Sequence, residues 1–152
     1  MPSVLVAVTG ASAFGYWAAG GAGAGHGSTA SSVAVTLSPG VASADLRPGG
    51  VGDVVLRVTN PNSYVADLGS LALDVTQGDG GYAVDAAHLD CPLVALGYTT
   101  QTNSGAGWTV PAASGADDGT LSVTLSDALE MSADAANACQ GATFTVHLTA
   151  GP

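Results

Sequence analysis

Lysine is missing from this chain altogether, arginine occurs only as Arg47 and Arg57, and glutamate only as Glu130, while aspartate is frequent enough to bring the formal charge to −10. Phosphate backbones and anionic headgroups repel such a polyanion, which argues against nucleic acid and against a charged membrane surface as partners. Charged residues make up 9% of the chain, against about a quarter in an ordinary soluble domain, so the solvent-facing surface has to be built from Thr, Ser, Gly and Asn. The spacings that signal chemistry are absent too. There is no His-Glu-x-x-His, no Cys-x-x-Cys, no EF-hand loop and no Gly-x-Ser-x-Gly elbow, and the glycines of residues 20–27 lack the Lys-Ser/Thr of a phosphate-binding loop. A Ser/His/Asp triad would have to be assembled from scattered loops, and the chain is read as non-enzymatic, without a cofactor. Internal repeats are lacking, and helical periodicity nearly so.

What is present begins with an apolar run from Val4 to Ala13, ending in the small residues Ala11-Ser12-Ala13 and followed by Phe14-Gly15-Tyr16-Trp17 and a Gly/Ala/Ser tract. That order is the order of an export signal and its junction with a mature domain, although Met1-Pro2-Ser3 lacks the usual basic start. A clipped signal is one reading. A retained anchor over residues 4–24 is another, and it is the only route by which this chain would meet a membrane; its many glycines make it a poor spanning helix. A flexible leader is the third. The expected organisation is a signal-like segment over residues 1–13, a Gly/Ala/Ser-rich leader over 14–31 and a single folded domain over 32–152. Export makes the protein secreted or cell-surface, and the even count of two cysteines, Cys91 and Cys139, then predicts one disulfide.

From residue 32 onward apolar and polar residues alternate, the period-2 pattern of half-buried strands. Val54, Leu56 and Val58 point one way and Asp53, Val55, Arg57 and Thr59 the other, until Asn60-Pro61-Asn62 closes the run. Leu71, Leu73 and Val75 are expected to face inward, and further strands are expected over 33–37, 82–85, 94–100, 108–110, 121–125 and 143–149. About eight short strands separated by turn clusters predict an all-β, two-sheet antiparallel Ig-like β-sandwich rather than βαβ units. Its expected core includes Val35, Leu56, Val58, Leu73, Leu96, Val123, Val146 and Leu148. Asp127-Ala128-Leu129-Glu130 has the spacing of a capping box, and with the Ala-rich stretch to Ala138 it predicts a short crossover helix or an extended loop between the last strands.

The stretch from Pro48 to Asn62, a Pro-Gly turn feeding a strand that ends in Asn, resembles the second-strand signature of bacterial surface Ig-like domains. Ala13-Phe14-Gly15-Tyr16-Trp17 and its Gly-rich sequel resemble the exported camelysin/TasA-like class of matrix and fibre proteins. Cys139-Gln140-Gly141-Ala142-Thr143-Phe144-Thr145-Val146 resembles the closing strand of small secreted Ig-like proteins of high-GC Gram-positive bacteria. Together these resemblances cover most of residues 13–149. They imply an extracellular β-sandwich, a signal removed by a dedicated peptidase and, through the more distant camelysin/TasA likeness, a matrix or fibre component.

Few residues are candidates for chemistry. Asp85, His88 and Asp90 place two carboxylates and an imidazole within six residues, a metal-binding candidate, but a structural zinc site wants four N and S donors. The alternative is a polar loop bracing the approach to Cys91. Asp117 and Asp118, between glycines, are the candidates for weak Ca²⁺ coordination, against a solvated turn. Trp108, with Asn103 in the loop before it, is a candidate for stacking on a sugar or a protein partner, against a Trp packed on the core. His26 and His147 are read as solvated. The leading functional expectation is a structural protein of the cell surface or extracellular matrix that self-associates or meets a cell-wall or protein partner. The alternative is a monomeric recognition module binding polysaccharide or protein through its loops.

Overall fold

The computed structural model describes residues 33–42 and 45–152. The signal-like segment, the leader and His26 lie outside the described residues. Eleven strands follow in order: β1 (Thr36–Leu37), β2 (Gly40–Ala42), β3 (Val51–Asn60), β4 (Ala66–Leu68), β5 (Ser70–Leu73), β6 (Tyr82–Val84), β7 (Leu96–Tyr98), β8 (Trp108–Val110), β9 (Gly119–Met131), β10 (Phe144–Val146) and β11 (Leu148–Gly151). The expected all-β class is observed. Six strands form a curled antiparallel sheet in the order β6-β10-β2-β3-β9-β7, with β1 joining it on β3; β5 with β11 and β4 with β8 form two further ladders.

The long antiparallel partners β3 and β9 are the spine, paired from Asn60↔Gly119 to Val51↔Glu130 with a register shift between Gly52 and Val54. The strand β3 exists because its apolar residues alternate: Val54, Leu56 and Val58 are buried, while Val55 and Arg57 face solvent. The turn before it holds Gly49 at φ 73, and the Gly50 N–H closes on the Arg47 carbonyl at 2.8 Å. Proline followed by a left-handed glycine is the chemistry of a type II turn. β1 and β2 run along one flank of β3 and are separated by Ser38-Pro39. Proline has no N–H for the ladder, and Ser38 keeps the strand attached: its N–H donates to the Arg57 carbonyl and its Oγ accepts the Arg57 N–H, both at 2.8 Å.

The curl is fastened by Leu71 of β5, which pairs with Gln101 just beyond β7 while the other side of β5 holds β11. One apolar cluster fills the interior, including Val54, Leu71, Val110, Leu129, Phe144 and Val146. Of the expected core, Leu56, Val58, Leu96, Val123, Val146 and Leu148 are buried, and Val35 and Leu73 are partly so.

Three expectations are corrected. Val75 does not face inward: β5 ends at Leu73, and Val75 stands exposed in the turn that Asp74 organises by accepting the Thr76 N–H and Oγ1–H. Val94 does not begin a strand but lies exposed in a single 3-10 turn over Leu93–Ala95, with β7 starting at Leu96. Of residues 127–138, expected as a crossover helix or an extended loop, the first part is neither, because β9 continues through Asp127 to Met131, and the loop with its single 3-10 turn over Asn137–Cys139 begins only at Ser132. The Asp-x-x-Glu spacing is overridden by Ala128, Leu129 and Met131, which are buried, and the conflict is absorbed in a bulge where Asp127 takes φ 51 and its N–H donates to Asp53 Oδ1 at 2.9 Å. The short strands β2 and β4 were not visible in the alternation.

Candidate functional site

The Val51 end of the spine carries the disulfide. Cys91 and Cys139 are bonded across a sequence separation of 48, and both are buried. The two cysteine-bearing segments reach each other through tight turns, the Cys91 N–H donating to the His88 carbonyl and the Cys139 N–H to the Ala136 carbonyl. Beside the bridge, Asp85 extends the β6–β10 ladder with its side chain. Its N–H donates to the Thr143 carbonyl at 3.1 Å, its Oδ2 accepts the Thr143 N–H at 2.6 Å, and its Oδ1 accepts from the Ala87 N–H at 3.0 Å and contacts His88 Nδ1 at 2.7 Å. The Thr143 N–H, followed by the His88 contact, holds the Asp85 carboxyl below the usual carboxylate range.

Asp85 and His88 are therefore brought together, and Asp90 is not. Among the described residues no three His, Cys, Asp or Glu side chains converge as a metal site requires. Asp85 and His88 brace the loop that delivers Cys91. Asp117 and Asp118 lie exposed in a turn closed by the Ser114–Asp117 bridge, at the opposite end of the spine.

Trp108 opens β8 opposite Leu68 and packs half-buried against the core. The loop before it is strained, since Asn103 and Ser104 both take positive φ, 51 and 56. It is held by its own hydrogen bonds: the Thr102 carbonyl accepts from the Gly105 and Gly107 N–H groups, and Asn103 Nδ2 donates to the Gly107 carbonyl at 2.6 Å. Two consecutive non-glycine residues at positive φ are the kind of local strain that accompanies binding loops.

The Asn60 end holds a feature that the sequence reading passed over. Asn60 and Asn62 are the buried polar residues among those described. Asn60 Nδ2 donates to the carbonyls of Tyr64 and Pro111 at 2.8 and 2.9 Å, while its Oδ1 accepts from the Asn62 N–H and Nδ2. All four hydrogen-bonding positions of that amide are thus used. Asn62 in turn clasps Val33, accepting its N–H at 2.9 Å and donating to its carbonyl at 2.8 Å, as a strand neighbour would. The signal was available in parity: Asn60 continues the inward series Val54, Leu56, Val58. The clamp ties Val33, the first described residue, to the end of β3. Tyr98, whose hydroxyl donates to the Leu71 carbonyl at 2.9 Å, has its phenol pKa raised by burial and is a structural tie.

Compared with known proteins, the chain matches no family model, and no curated protein or solved structure is found to be similar to it.

Proposed function

We propose that this chain is a non-enzymatic structural protein of the cell surface or extracellular matrix, with its β-domain held away from its point of attachment by the leader. The observation that carries the reading is the buried Cys91–Cys139 disulfide in a small all-β domain, which fits an extracellular or otherwise oxidising location. No helix among the described residues is long and apolar enough to cross a membrane. The Ig-like relationship implied by residues 48–62 belongs to the same proposal, as does removal of residues 1–13 on export. The Asn62 clasp holds the Val33 backbone as a strand neighbour would, which supports a reading in which the segment before it serves as a strand donated to a neighbouring copy or as a spacer. The test compares the secreted chain with one lacking residues 14–31 by electron microscopy and light scattering. Assemblies formed by the intact chain and lost on deletion support the matrix reading; monomers in both cases overturn assembly through the leader.

A second reading has its own observation, the strained Asn103-Ser104 turn in front of Trp108. On that reading the domain is a recognition module for a polysaccharide or protein. Glycan-array binding that is lost in Trp108→Ala with the fold retained would favour it over the structural role.

A further inference from the structure

The outward face of the curled sheet carries an uncharged row. A row of residues in register crosses five strands: Ala83 on β6, Thr145 on β10, Val41 on β2, Val55 on β3 and Thr124 on β9. None is charged, and Val41 and Val55 are 43% and 39% exposed although both are large and apolar. Along β3 the row is flanked on the same face by Asp53 on one side and Arg57 on the other, two residues from Val55 in each direction. Arg57 is one of two cations in the chain, it is exposed, and among the described residues it has no ion-pair partner. Apart from Asp53, the five strands of the row carry carboxylates only at Asp127 and Glu130, both at the Met131 end of β9 and away from Thr124.

We propose that this face is a self-association surface, on which a second copy of the chain docks about a two-fold axis running along the Val41–Val55–Thr124 row. An axis in that direction turns β3 of the partner antiparallel to its mate. It sets Val55 on Val55, and it brings Arg57 of each copy over Asp53 of the other, since the order acid, valine, arginine reverses into its own complement. A closed isologous contact follows. The two ion pairs lie at the margin of an uncharged strip, where a chain of charge −10 otherwise meets its copy with repulsion. Thr145, Thr124 and Ala83 add flat, small-branched surface without the lysines that ordinarily keep strands apart. At ~4.8 Å spacing, the ~20 Å from Asp53 to Thr59 on β3 and its match on β9, with ~10 Å on each of the three short strands, give ~340 Å² per partner, which places the contact among weak, transient ones. Such contacts gain strength when many copies stand on one surface.

The proposal deepens the structural reading by naming its partner, and it is independent of the leader. Sedimentation velocity on the full chain tests it with R57D, D53R, V55D and their mixtures. R57D and V55D each weaken the dimer at least ~10-fold, because each puts a carboxylate against a partner carboxylate or on the axis. R57D mixed with D53R regains association within ~3-fold of the parent, since one copy then carries two acids and the other two arginines. Because D53R also removes the acceptor of the Asp127 N–H, its melting is measured alongside, and V55D at an exposed site supplies a variant that keeps every hydrogen bond. Association unchanged in R57D and V55D overturns the docking face, and so does a monomeric parent at millimolar concentration. If those variants still assemble and deletion of residues 14–31 abolishes assembly, the face is refuted and the matrix reading survives.

Discussion

At the Val51 end of the spine the loops are joined by a covalent bond and one carboxylate, and at the Asn60 end by two buried amides. The bridge acts chiefly on the unfolded chain: closing a loop of 48 residues removes about 4 kcal/mol of its conformational freedom, wherever the native contacts lie. The amides act on the folded chain alone. Six hydrogen bonds converge on Asn60 and Asn62, joining β3 to Val33, Tyr64 and Pro111. Each contributes about 1 kcal/mol net, but losing one partner leaves a buried group unpaired. A chain without lysine has almost no ion pairs to spend on loop closure, and these two ends show what replaces them.

The largest effect that separates the two is expected from Cys91→Ser combined with Cys139→Ser. Denaturant unfolding should show a loss of about 4 kcal/mol. Hydrogen exchange should quicken first in residues 85–98 and 136–143, with the Val33, Asn62 and Ala113 amides still protected; uniform loss of protection would mean that the ends are not separable. Asn60→Ala comes next, at about 3 kcal/mol, since it removes the donor to the Tyr64 and Pro111 carbonyls and the acceptor of both Asn62 donors at once. Its exchange pattern should be the reverse, and a loss under about 1 kcal/mol would show that water takes the place of the amide. Asn62→Ala removes the clasp on Val33 and should cost about 2 kcal/mol, with protease sensitivity rising near residue 33 before any change around Cys91.

The smallest effect is a matter of pH. Asp85 has a folded-state pKa below the ordinary value of about 3.9, so the folded chain binds fewer protons there than the unfolded one. Its stabilisation is complete above the ordinary value and is lost as pH falls through the folded value. Thermal melts from pH 6 to pH 3 should therefore fall less steeply for Asp85→Asn than for the parent. A residual slope is expected from Asp74, which Thr76 and Gln77 hold low in the same direction. Identical slopes would remove Asp85 from the account of the disulfide end.

Parity was legible wherever one face of a strand is dry. Val54, Leu56 and Val58 could be assigned because burial repeats every second residue along β3. Leu129 and Met131 were missed because a two-residue bulge at Asp127 breaks the period, and the capping-box spacing spoke for a helix that the core did not permit. The disulfide was legible from a count of two cysteines. Asp85 could be placed near Cys91 by adjacency, but not against Thr143, which is 58 residues away.

Alternation, turn chemistry and composition by themselves determine that this chain is an acidic all-β domain with one bridge, because those features act over a few residues. Tertiary structure alone decided that the sheet curls until Leu71 meets Gln101, that the inward Asn60 finds the Tyr64 and Pro111 carbonyls and so holds three segments together, and that Asp53 and Arg57 flank an uncharged row running over five strands. Each of these depends on strand register between segments distant in the chain, and register is set by how side chains pack across the sheet rather than by any local preference.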